Sequence, residues 1–409
     1  MVQSVLGSLI LGYRPLWSRA RKLAGIQLYV HSEATALVDA AHLLRTLQEL
    51  WSASSPPILL SPQSRQLLCD MLEHAPRGTP WIEVRGGWLA DSAIYTRVRS
   101  AHQRGLKLVW RGELGKLPEP DIAQCFDNSL LTLRPEDAVA ALQAAPARPG
   151  APAQPLRAAS PVLAGQMYEN VASRALMEHC LDQNNALALA GWPSEDVLYS
   201  LRHHPQQPSH AVIFKLMKAI DDEQSLETFE AIMGEDPLLA YRFMVYTNSA
   251  ALGLRTGIDS LRRGLVMMGY GSIKRWLSDQ LPHASTDPNM HPVREAMVMR
   301  ARLTAQLLDA GVENDLRREI YLCGLLSQID ELLGESLGTI LRRLPLSERI
   351  YDATVLRTGP YTEGLQMACA LETDDASAIR QLCETYELDL EEVNRALLRV
   401  LSDLVVDRK

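Results

Sequence analysis

Few side chains of this sequence stand at spacings that enzyme chemistry requires. The six cysteines contain no Cys-x-x-Cys pair, which favours reduced, buried thiols over a metal site or a disulfide framework. The pair His203-His204 has no cysteine or acid at ligand spacing. The glycines, including Gly86-Gly87, form neither a P-loop nor a dinucleotide-binding fingerprint. His102 falls on a predicted helix and is interpreted as a surface histidine.

Composition narrows the class of protein further. The chain has 409 residues, enough for two ordinary domains, with 47% hydrophobic and 22% charged residues. A net charge of −8 leaves no broad basic excess to hold a phosphate backbone, so we expect no generic nucleic-acid binding. The apolar run near the N-terminus is too short to cross a bilayer and lacks a basic flank and a cleavage site. We expect a cytoplasmic protein without a membrane span.

The first half alternates strand and helix patterns, which is typical of α/β architecture. Its predicted strands are Leu9–Leu16, Gly25–His31, Pro57–Ser61, Trp81–Arg85, Leu106–Arg111, Leu130–Leu133, Pro161–Gln166 and Ala186–Trp192. Its predicted helices are Ala34–Trp51, Pro62–Glu73, Asp91–Arg104, Pro135–Leu142 and Tyr168–Asp182. Eight strands predict a closed (β/α)8 barrel. Because Trp17 to Ala24 is too short for a crossover helix, the first two strands should form a hairpin, which gives one antiparallel strand.

The second half reads as all-helical. Its predicted helices are Ala211–Ile220, Leu226–Met233, Pro237–Thr247, Ser260–Met268, Ile273–Gln280, Pro292–Ala310, Asp315–Leu333, Leu337–Arg342, Ser347–Arg357, Thr362–Leu371, Asp375–Tyr386 and Leu390–Val405. The Pro- and Ala-rich stretch 143–161 could be a linker, but strand signals follow it, and we interpret it as a loop of the barrel. We expect domains at 1–200 and 201–409, with a hinge at His203–Pro208.

A spaced pattern in residues 236–277 identifies the helical half. It contains Asp236-Pro237, Asn248-Ser249-Ala250, Gly253, Ile258, Ser260-Leu261, Leu265, Met268-Gly269 and Lys274-Arg275-Trp276-Leu277. This pattern resembles the centre of the HDOD output domain, a relative of the HD phosphohydrolases that generally lacks their metal site. HD phosphohydrolases bind metal through a His-Asp doublet on a helix. In this sequence Ser327-Gln328 occupy the corresponding place. Asp330 is an acid nearby and Glu295 lies on the upstream helix, but His291 is interpreted as a loop residue, so the resemblance implies no metal site here.

The first half resembles the EAL domain, the cyclic-di-GMP phosphodiesterase barrel of bacterial signalling. Order and spacing over residues 5–197 carry this resemblance, beginning with the hairpin Leu11–Leu16 and Gly25–Tyr29. An EAL enzyme needs two metal ions. Most of its ligand positions are replaced here. Gln27 replaces the signature glutamate, and Leu60 replaces the asparagine of the third strand. Arg111-Gly112 replace the paired aspartates. Cys125 replaces a lysine, and Ala190 replaces a glutamine. The remaining acids are Glu83, Asp127 and Glu169.

Together these resemblances imply a tandem EAL–HDOD signalling protein whose barrel is degenerate. The expected pocket of that barrel comprises Arg14, Gln27, Glu83, Arg85, Arg111, Asp127 and Ala190. We expect no enzyme activity, no cofactor and no catalytic metal, and a regulatory or adaptor role through protein partners. One alternative is a cyclic-di-GMP receptor that uses Arg14, Arg85 and Arg111 for the phosphates. A weaker alternative is a residual metal-dependent phosphohydrolase built on Asp330 and Glu295.

Overall fold

A computed structural model of the protein describes residues 5–32, 39–144, 159–250, 257–308 and 313–404. The chain divides into two compact units. The first contains the residues up to Val197 together with those from Ala370 onward, and the second contains Leu198–Cys369. The C-terminal helices, which the sequence pattern assigns to the helical domain, are therefore part of the first unit. Most of the Pro- and Ala-rich stretch, and Gly253 of the helical pattern, lie outside the described residues.

The described part of the first unit contains a closed barrel in which strands that follow one another along the chain are also neighbours in space. The strands are β1 (Leu9–Ser18), β2 (Leu23–Ser32), β3 (Ile58–Pro62), β4 (Trp81–Arg85), β5 (Leu108–Glu113), β6 (Asn128–Thr132), β7 (Met167–Glu169) and β8 (Ala188–Ala190). Strand β1 is antiparallel to both β2 and β8, and the other pairs are parallel. The predicted hairpin is confirmed.

Helices accompany the strands of the barrel. They are α1 (Ala40–Leu50), α2 (Arg65–His74), α3 (Ser92–Gln103), α4 (Pro120–Ala123), α5 (Pro135–Ala144), α6 (Arg174–Glu178) and α7 (Glu195–Leu201). The predicted seventh strand, Pro161–Gln166, is wrong, because Met167–Glu169 forms β7. The predicted helix from Tyr168 begins only after the cap at Ser173. Pairing with β6 and β8 overrides the helical periodicity of this stretch.

Side chains that alternate between the two faces of each strand place a buried apolar cluster inside the barrel, and we call this cluster the apolar floor. This cluster contains Leu16, Leu59, Val109, Leu130, Met167, Ala188 and Ala190, one or two side chains from each of six strands. Because side chains alternate across a strand, residues two positions further along point to the same side. The residues above this apolar floor, towards the carboxyl ends of the parallel strands, are polar. They form the candidate site.

The second unit is helical in its described residues. Its helices are α8 (His210–Asp221), α9 (Leu226–Met233), α10 (Pro237–Thr247), α11 (Leu261–Gln280), α12 (His291–Leu307), α13 (Asn314–Leu326), α14 (Ile329–Leu333), α15 (Leu337–Leu341), α16 (Glu348–Tyr351) and α17 (Thr362–Leu371). The predicted break at Gly269 is present inside α11, where this glycine has a φ of 69°. A single helix over Asp315–Leu333 is wrong, since Ser327-Gln328 separates α13 from α14.

Two C-terminal helices, α18 (Ala376–Tyr386) and α19 (Leu390–Ser402), pack on the barrel. Strand β8 pairs with β1 only at residues 16–18, so the N-terminal part of this edge of β1 has no strand partner among the described residues. Asn394 of α19, fully buried, fills that gap. Its amide donates to the carbonyl oxygens of Leu6 (2.8 Å) and Leu9 (2.7 Å) and accepts from the amide of Leu11 (3.2 Å). The helix therefore covers an otherwise open sheet edge.

Candidate functional site

Two glutamates face the interior of the barrel above its apolar floor. Glu83 lies on β4 and Glu169 at the end of β7, and their side chains are only 1% and 4% exposed. Two buried carboxylates without partners would cost several kcal/mol each, so their partners decide what this cavity can do.

Arg111, on β5, lies between the two carboxylates. Its Nη1 is 3.1 Å from Glu83 Oε1, and its Nη2 is 2.9 Å from Glu169 Oε2. Its Nε also donates to Glu169 Oε1 over 3.3 Å, which completes a bidentate pair with that carboxylate. Burial lowers the pKa of Arg111, but the two carboxylates outweigh this effect and raise it above its ordinary value. The guanidinium is therefore a permanent positive charge at the centre of the cavity.

The remaining oxygens of the two glutamates are also engaged. Gln27 on β2 donates from Nε2 to Glu83 Oε2 (2.7 Å), and its own oxygen accepts from the hydroxyl of Tyr29 (3.1 Å). Thr132, at the end of β6, donates to Glu169 Oε1 (2.6 Å). Each carboxylate oxygen thus has a donor within hydrogen-bond distance. The cluster is a closed, self-satisfied network.

Two further arginines stand nearer to the barrel mouth. Arg14 on β1 lies over the ring of Tyr29, with 5.5 Å from its Cζ to the ring centroid, and its Nη1 is 3.9 Å from Glu169. Arg85, at the end of β4, lies over Trp88 at 5.2 Å and donates to the side-chain oxygen of Gln63. Both guanidinium groups stay partly exposed and sit against aromatic rings. Both are cationic groups at this mouth that a ligand could reach.

The structure brings together five of the seven predicted pocket residues: Arg14, Gln27, Glu83, Arg85 and Arg111. Asp127 lies elsewhere, because it precedes β6 and accepts from the backbone amide of Leu108, at the start of β5. In parallel strands, that end is opposite to the ends that carry Glu169 and Thr132. Ala190 is part of the apolar floor. Glu169 and Thr132 belong to the network although the predicted pocket omits them.

Two residues expected to correspond to EAL ligand positions, Leu60 and Cys125, do not face the cavity. Leu59 points into the barrel, so the next residue, Leu60, points away from it and Ser61 points in. Ser61 is fully buried, and its hydroxyl accepts from Gln63 Nε2 (3.0 Å). Cys125 is not on a strand but follows α4, and burial raises the pKa of its thiol. Neither position supplies an amide or a cationic side chain to the cavity.

The site does not fit a pair of divalent cations. Hard cations such as Mg²⁺ require several oxygen ligands with open coordination positions. Here a guanidinium stands between the two buried carboxylates and repels a second cation, while Gln27 and Thr132 occupy the remaining oxygens. Within the described ranges, no group of three or more His, Cys, Asp or Glu side chains could hold a metal ion.

In the second unit, the Asp-Pro pair of the helical pattern has a structural role. Asp236 is fully buried and caps α10 by accepting from the amides of Leu238 (2.9 Å) and Leu239 (3.0 Å). Its other oxygen accepts from the amide of Ser209 (2.6 Å) and lies 3.2 Å from Nε of Arg294, itself buried. One carboxylate thus fixes the entry to α8 and α10 against α12.

Asn248 and Trp276 of the same pattern are structural as well. The Asn248 amide bridges the end of α10 to the start of α11 by donating to the carbonyls of Met244 (2.8 Å) and Ile258 (2.9 Å) and accepting from the amide of Ile258 (2.7 Å). Trp276 is buried and stacks on Tyr246 with ring centroids 5.8 Å apart. These residues position the helices that they connect.

The place expected for a metal-binding doublet is the turn between α13 and α14. Ser327 donates to the carbonyl of Gly324 (2.8 Å). Asp330 is paired with Arg202 at 3.1 Å, and burial together with the Glu331 carboxylate raises the pKa of Asp330. His291 is exposed at the first residue of α12, and Glu295 is half-buried on the same helix.

Comparison with known proteins agrees with this division of the chain. The HDOD domain family matches residues 206–337, so the second unit carries an HDOD domain. A cyclic di-GMP phosphodiesterase, CdgJ of Vibrio cholerae, is 24% identical over 193 residues, which are 47% of this chain and 44% of that protein. An uncharacterized protein, YuxH of Bacillus subtilis, is 24% identical over 192 residues, which are 46% of each protein. The chain thus matches less than half the length of either curated relative.

Among solved structures, the MmoQ response regulator of Methylococcus capsulatus is 16% identical, with a TM-score of 0.38, over 47% of this chain and 98% of that chain. The HDOD match, together with the homology to a cyclic di-GMP phosphodiesterase, relates the protein to signalling proteins. Among the helices that the structure describes, none has the length and apolar character needed to cross a membrane.

Proposed function

We propose that the protein is a non-catalytic regulatory or adaptor protein of bacterial signal transduction, which acts through protein–protein interaction. In this proposal the barrel is a degenerate EAL-like (β/α)8 barrel, and the HDOD domain is the protein-binding output. The protein partners remain to be identified, and a cytoplasmic location remains a prediction.

The observation that carries the proposal is the position of Arg111. A phosphodiesterase of this type would place divalent cations among inward-facing carboxylates and generate its nucleophile from a bound water. Arg111 binds Glu83 and Glu169 directly, so that both carboxylates are paired with a side chain of the protein itself. The HDOD match supports a signalling role, and CdgJ, whose name describes a cyclic di-GMP phosphodiesterase, points to the same class of pathway.

The test is hydrolysis of cyclic-di-GMP by the purified protein with Mg²⁺ or Mn²⁺. We expect no turnover that depends on the cavity. The variant Glu83→Gln separates the protein's own activity from a contaminant, because it removes one buried carboxylate. Metal-dependent hydrolysis by the wild type that disappears in Glu83→Gln would refute the proposal.

A second candidate function is a nucleotide receptor without hydrolase activity. The observation that favours it is the pair of cation–π stacks at the mouth, Arg14 on Tyr29 and Arg85 on Trp88. Such groups suit phosphates and purine rings. Calorimetry with cyclic-di-GMP decides between the two functions: saturable heat that is lost in Arg85→Ala supports a receptor, and absence of heat at high micromolar ligand excludes it.

The residual-hydrolase alternative has less support. Asp330 is held by Arg202, and no third ligand accompanies Asp330 and Glu295 within the described part of the chain. Metal analysis of the purified protein tests this alternative, since stoichiometric metal that is lost in Asp330→Asn would favour it.

A further inference from the structure

A short segment of the chain lies over the mouth of the barrel. It comprises residues 371–375, from the last residue of α17 to the residue before α18, and we call it the mouth segment. The carbonyl oxygen of Thr373 approaches Gly12 of β1 so closely that a Cβ atom at Gly12 would lie 2.2 Å from it. The carbonyl oxygen of Leu371 would be 3.4 Å away. Only glycine at position 12 leaves room for the segment.

The mouth segment approaches the inner side of β1. Gly12 pairs with Tyr29 of β2, and residues directly opposite each other in an antiparallel pair face the same side. The Tyr29 hydroxyl binds Gln27 of the buried network, and Arg14, two residues after Gly12, lies over its ring. The segment therefore sits above the polar cavity and not on the outer surface of the barrel.

The charge of the mouth segment complements its surroundings. One Asp374 carboxylate oxygen lies 3.7 Å from Nη2 of Arg14. Asp374 also interacts with His31 at the end of β2, whose pKa is lowered by burial and by Arg85 and raised in part by Asp374. Two buried nitrogen atoms, Nε of Arg85 and Nε2 of His31, have no hydrogen-bond partner among the described residues. The Asp374 carboxylate thus lies in a cationic mouth in which these two nitrogen atoms are not hydrogen-bonded.

We propose that the mouth segment is a built-in cover of the barrel. Asp374 takes the place of an anionic group beside Arg14, and a phosphate-bearing ligand that reaches Arg14 and Arg85 displaces the segment. The guanidinium of Arg14 is already shared between Glu169 and Asp374, so it cannot also bind a phosphate at full strength while Asp374 stays in place. Because only molecules with the segment displaced can bind, the apparent affinity for the ligand is the intrinsic affinity multiplied by the fraction of molecules that are open.

The contacts of the segment suit a cover that opens. The Asp374 side chain is 42% exposed and its pair with Arg14 is long, which makes the contact a weak one. The next residue, Asp375, caps α18 by accepting from the amides of Ser377 (3.0 Å) and Ala378 (3.2 Å). Helix α18 can therefore remain folded when Asp374 leaves the mouth. This regulation of access does not depend on whether the barrel hydrolyses a ligand.

The test uses the full-length protein, with inorganic pyrophosphate and cyclic-di-GMP as separate probes in calorimetry. Asp374→Asn removes the competing charge, and Gly12→Ala pushes the segment out of the mouth by the clash with Thr373. We expect each variant to bind at least one probe at least 10-fold more tightly than the wild type. Binding of pyrophosphate as well as the nucleotide identifies a phosphate subsite, whereas binding of cyclic-di-GMP alone identifies a nucleotide site under the same cover.

The matched control is Asp389→Asn, which removes a carboxylate from the same C-terminal region while asparagine still caps α19. Its affinity should equal that of the wild type within twofold. Hydrogen exchange supplies a second readout, in which the better-bound probe should lower the protection of the amides in 371–375 of the wild type. Equal affinity of wild type and Asp374→Asn, no binding by any of the proteins, or unchanged protection would each overturn the proposal.

Discussion

Arg111 pairs with two buried glutamates inside the barrel. Glu83 and Glu169 are buried carboxylates of the kind that bind metal ions, and burying a carboxylate without a partner is costly. The guanidinium supplies that partner from within the chain. Because arginine stays protonated at any physiological pH, the arrangement cannot be reversed by titration of this group. The guanidinium of Arg111 therefore links Glu83 and Glu169 inside the cavity.

Replacing Arg111 with alanine should therefore destabilise the first unit. The change leaves two buried carboxylates without their shared partner, and we expect a loss of about 3–5 kcal/mol in the free energy of unfolding. Urea denaturation followed by tryptophan fluorescence measures it, since six of the seven tryptophans precede residue 198 and only Trp276 lies in the second unit.

Lys116→Ala is the control for that measurement. Lys116 pairs with Glu113 at 3.0 Å, but its side chain is 74% exposed, so its loss should cost less than about 1 kcal/mol. If Arg111→Ala were as stable as Lys116→Ala, the buried network would not have the energetic role given to it here.

Asp236 should contribute a comparable amount to the stability of the second unit. Asp236→Ala leaves the buried Arg294 without its carboxylate and removes the cap of α10, so a loss of about 3–5 kcal/mol is expected. Far-UV circular dichroism during urea denaturation follows this helical unit. Asp259→Ala, which breaks an exposed pair with Arg263, should change the transition little, and a similar shift for both variants would contradict a structural role for the Asp-Pro pair.

At the scale of elements, the attachment of α19 to β1 is the feature that local sequence patterns do not reveal. Helix α19 has a strongly amphipathic pattern, and its buried face includes Leu397, Leu398 and Leu401. That pattern predicts a packed helix, but not the strand that it covers. The polar exception on that face, Asn394, bonds to backbone groups of residues 6–11, which are more than 380 positions away in sequence.

Asn394→Ala should weaken this attachment. Three backbone groups of β1 and the preceding turn would lose their partners, and at about 1–3 kcal/mol per buried unpaired group we expect a loss of at least about 3 kcal/mol. Hydrogen exchange should show faster exchange of the Leu11 amide, the backbone donor in these bonds. Arg395→Ala on the exposed side of α19 is the control, and equal exchange in both variants would exclude the proposed role of Asn394.

Sequence patterns located most elements, and the errors have identifiable causes. Helices α9 and α10 have the predicted bounds, because Ser225 and Asp236 are strong caps that bond to the first-turn amides. Strand β7 was missed because three residues carry too little alternation to indicate a strand. The assignment of Leu60 in place of Ser61 is an error of one residue, which in a strand reverses the face. The polar network needed knowledge of which strands are neighbours.

At the scale of the whole molecule, the first unit is built from both ends of the described chain, with the HDOD-containing unit between them. Such an arrangement makes the barrel depend on residues that follow the second unit. Composition and periodicity favour two consecutive domains, since nothing local in α18 or α19 distinguishes them from the helices before them.

A chain that ends at residue 369 should therefore have a destabilised barrel. Without α18 and α19, the backbone of β1 and the apolar surface beneath α19 become exposed. We expect increased binding of a hydrophobic dye and a lower melting temperature in the tryptophan signal. A chain that ends at Leu404 retains both helices and is the control. Equal melting of the two chains would show that the barrel is independent of its C-terminal helices.

The central claim is that Arg111 takes the place of metal in the barrel, and titration with Mn²⁺ followed by electron paramagnetic resonance tests it most directly. We predict that the full-length protein leaves the signal of free Mn²⁺ unchanged up to equimolar metal, in the presence and absence of cyclic-di-GMP. Stoichiometric loss of that signal in the wild type, restored by Glu83→Gln, would contradict the account.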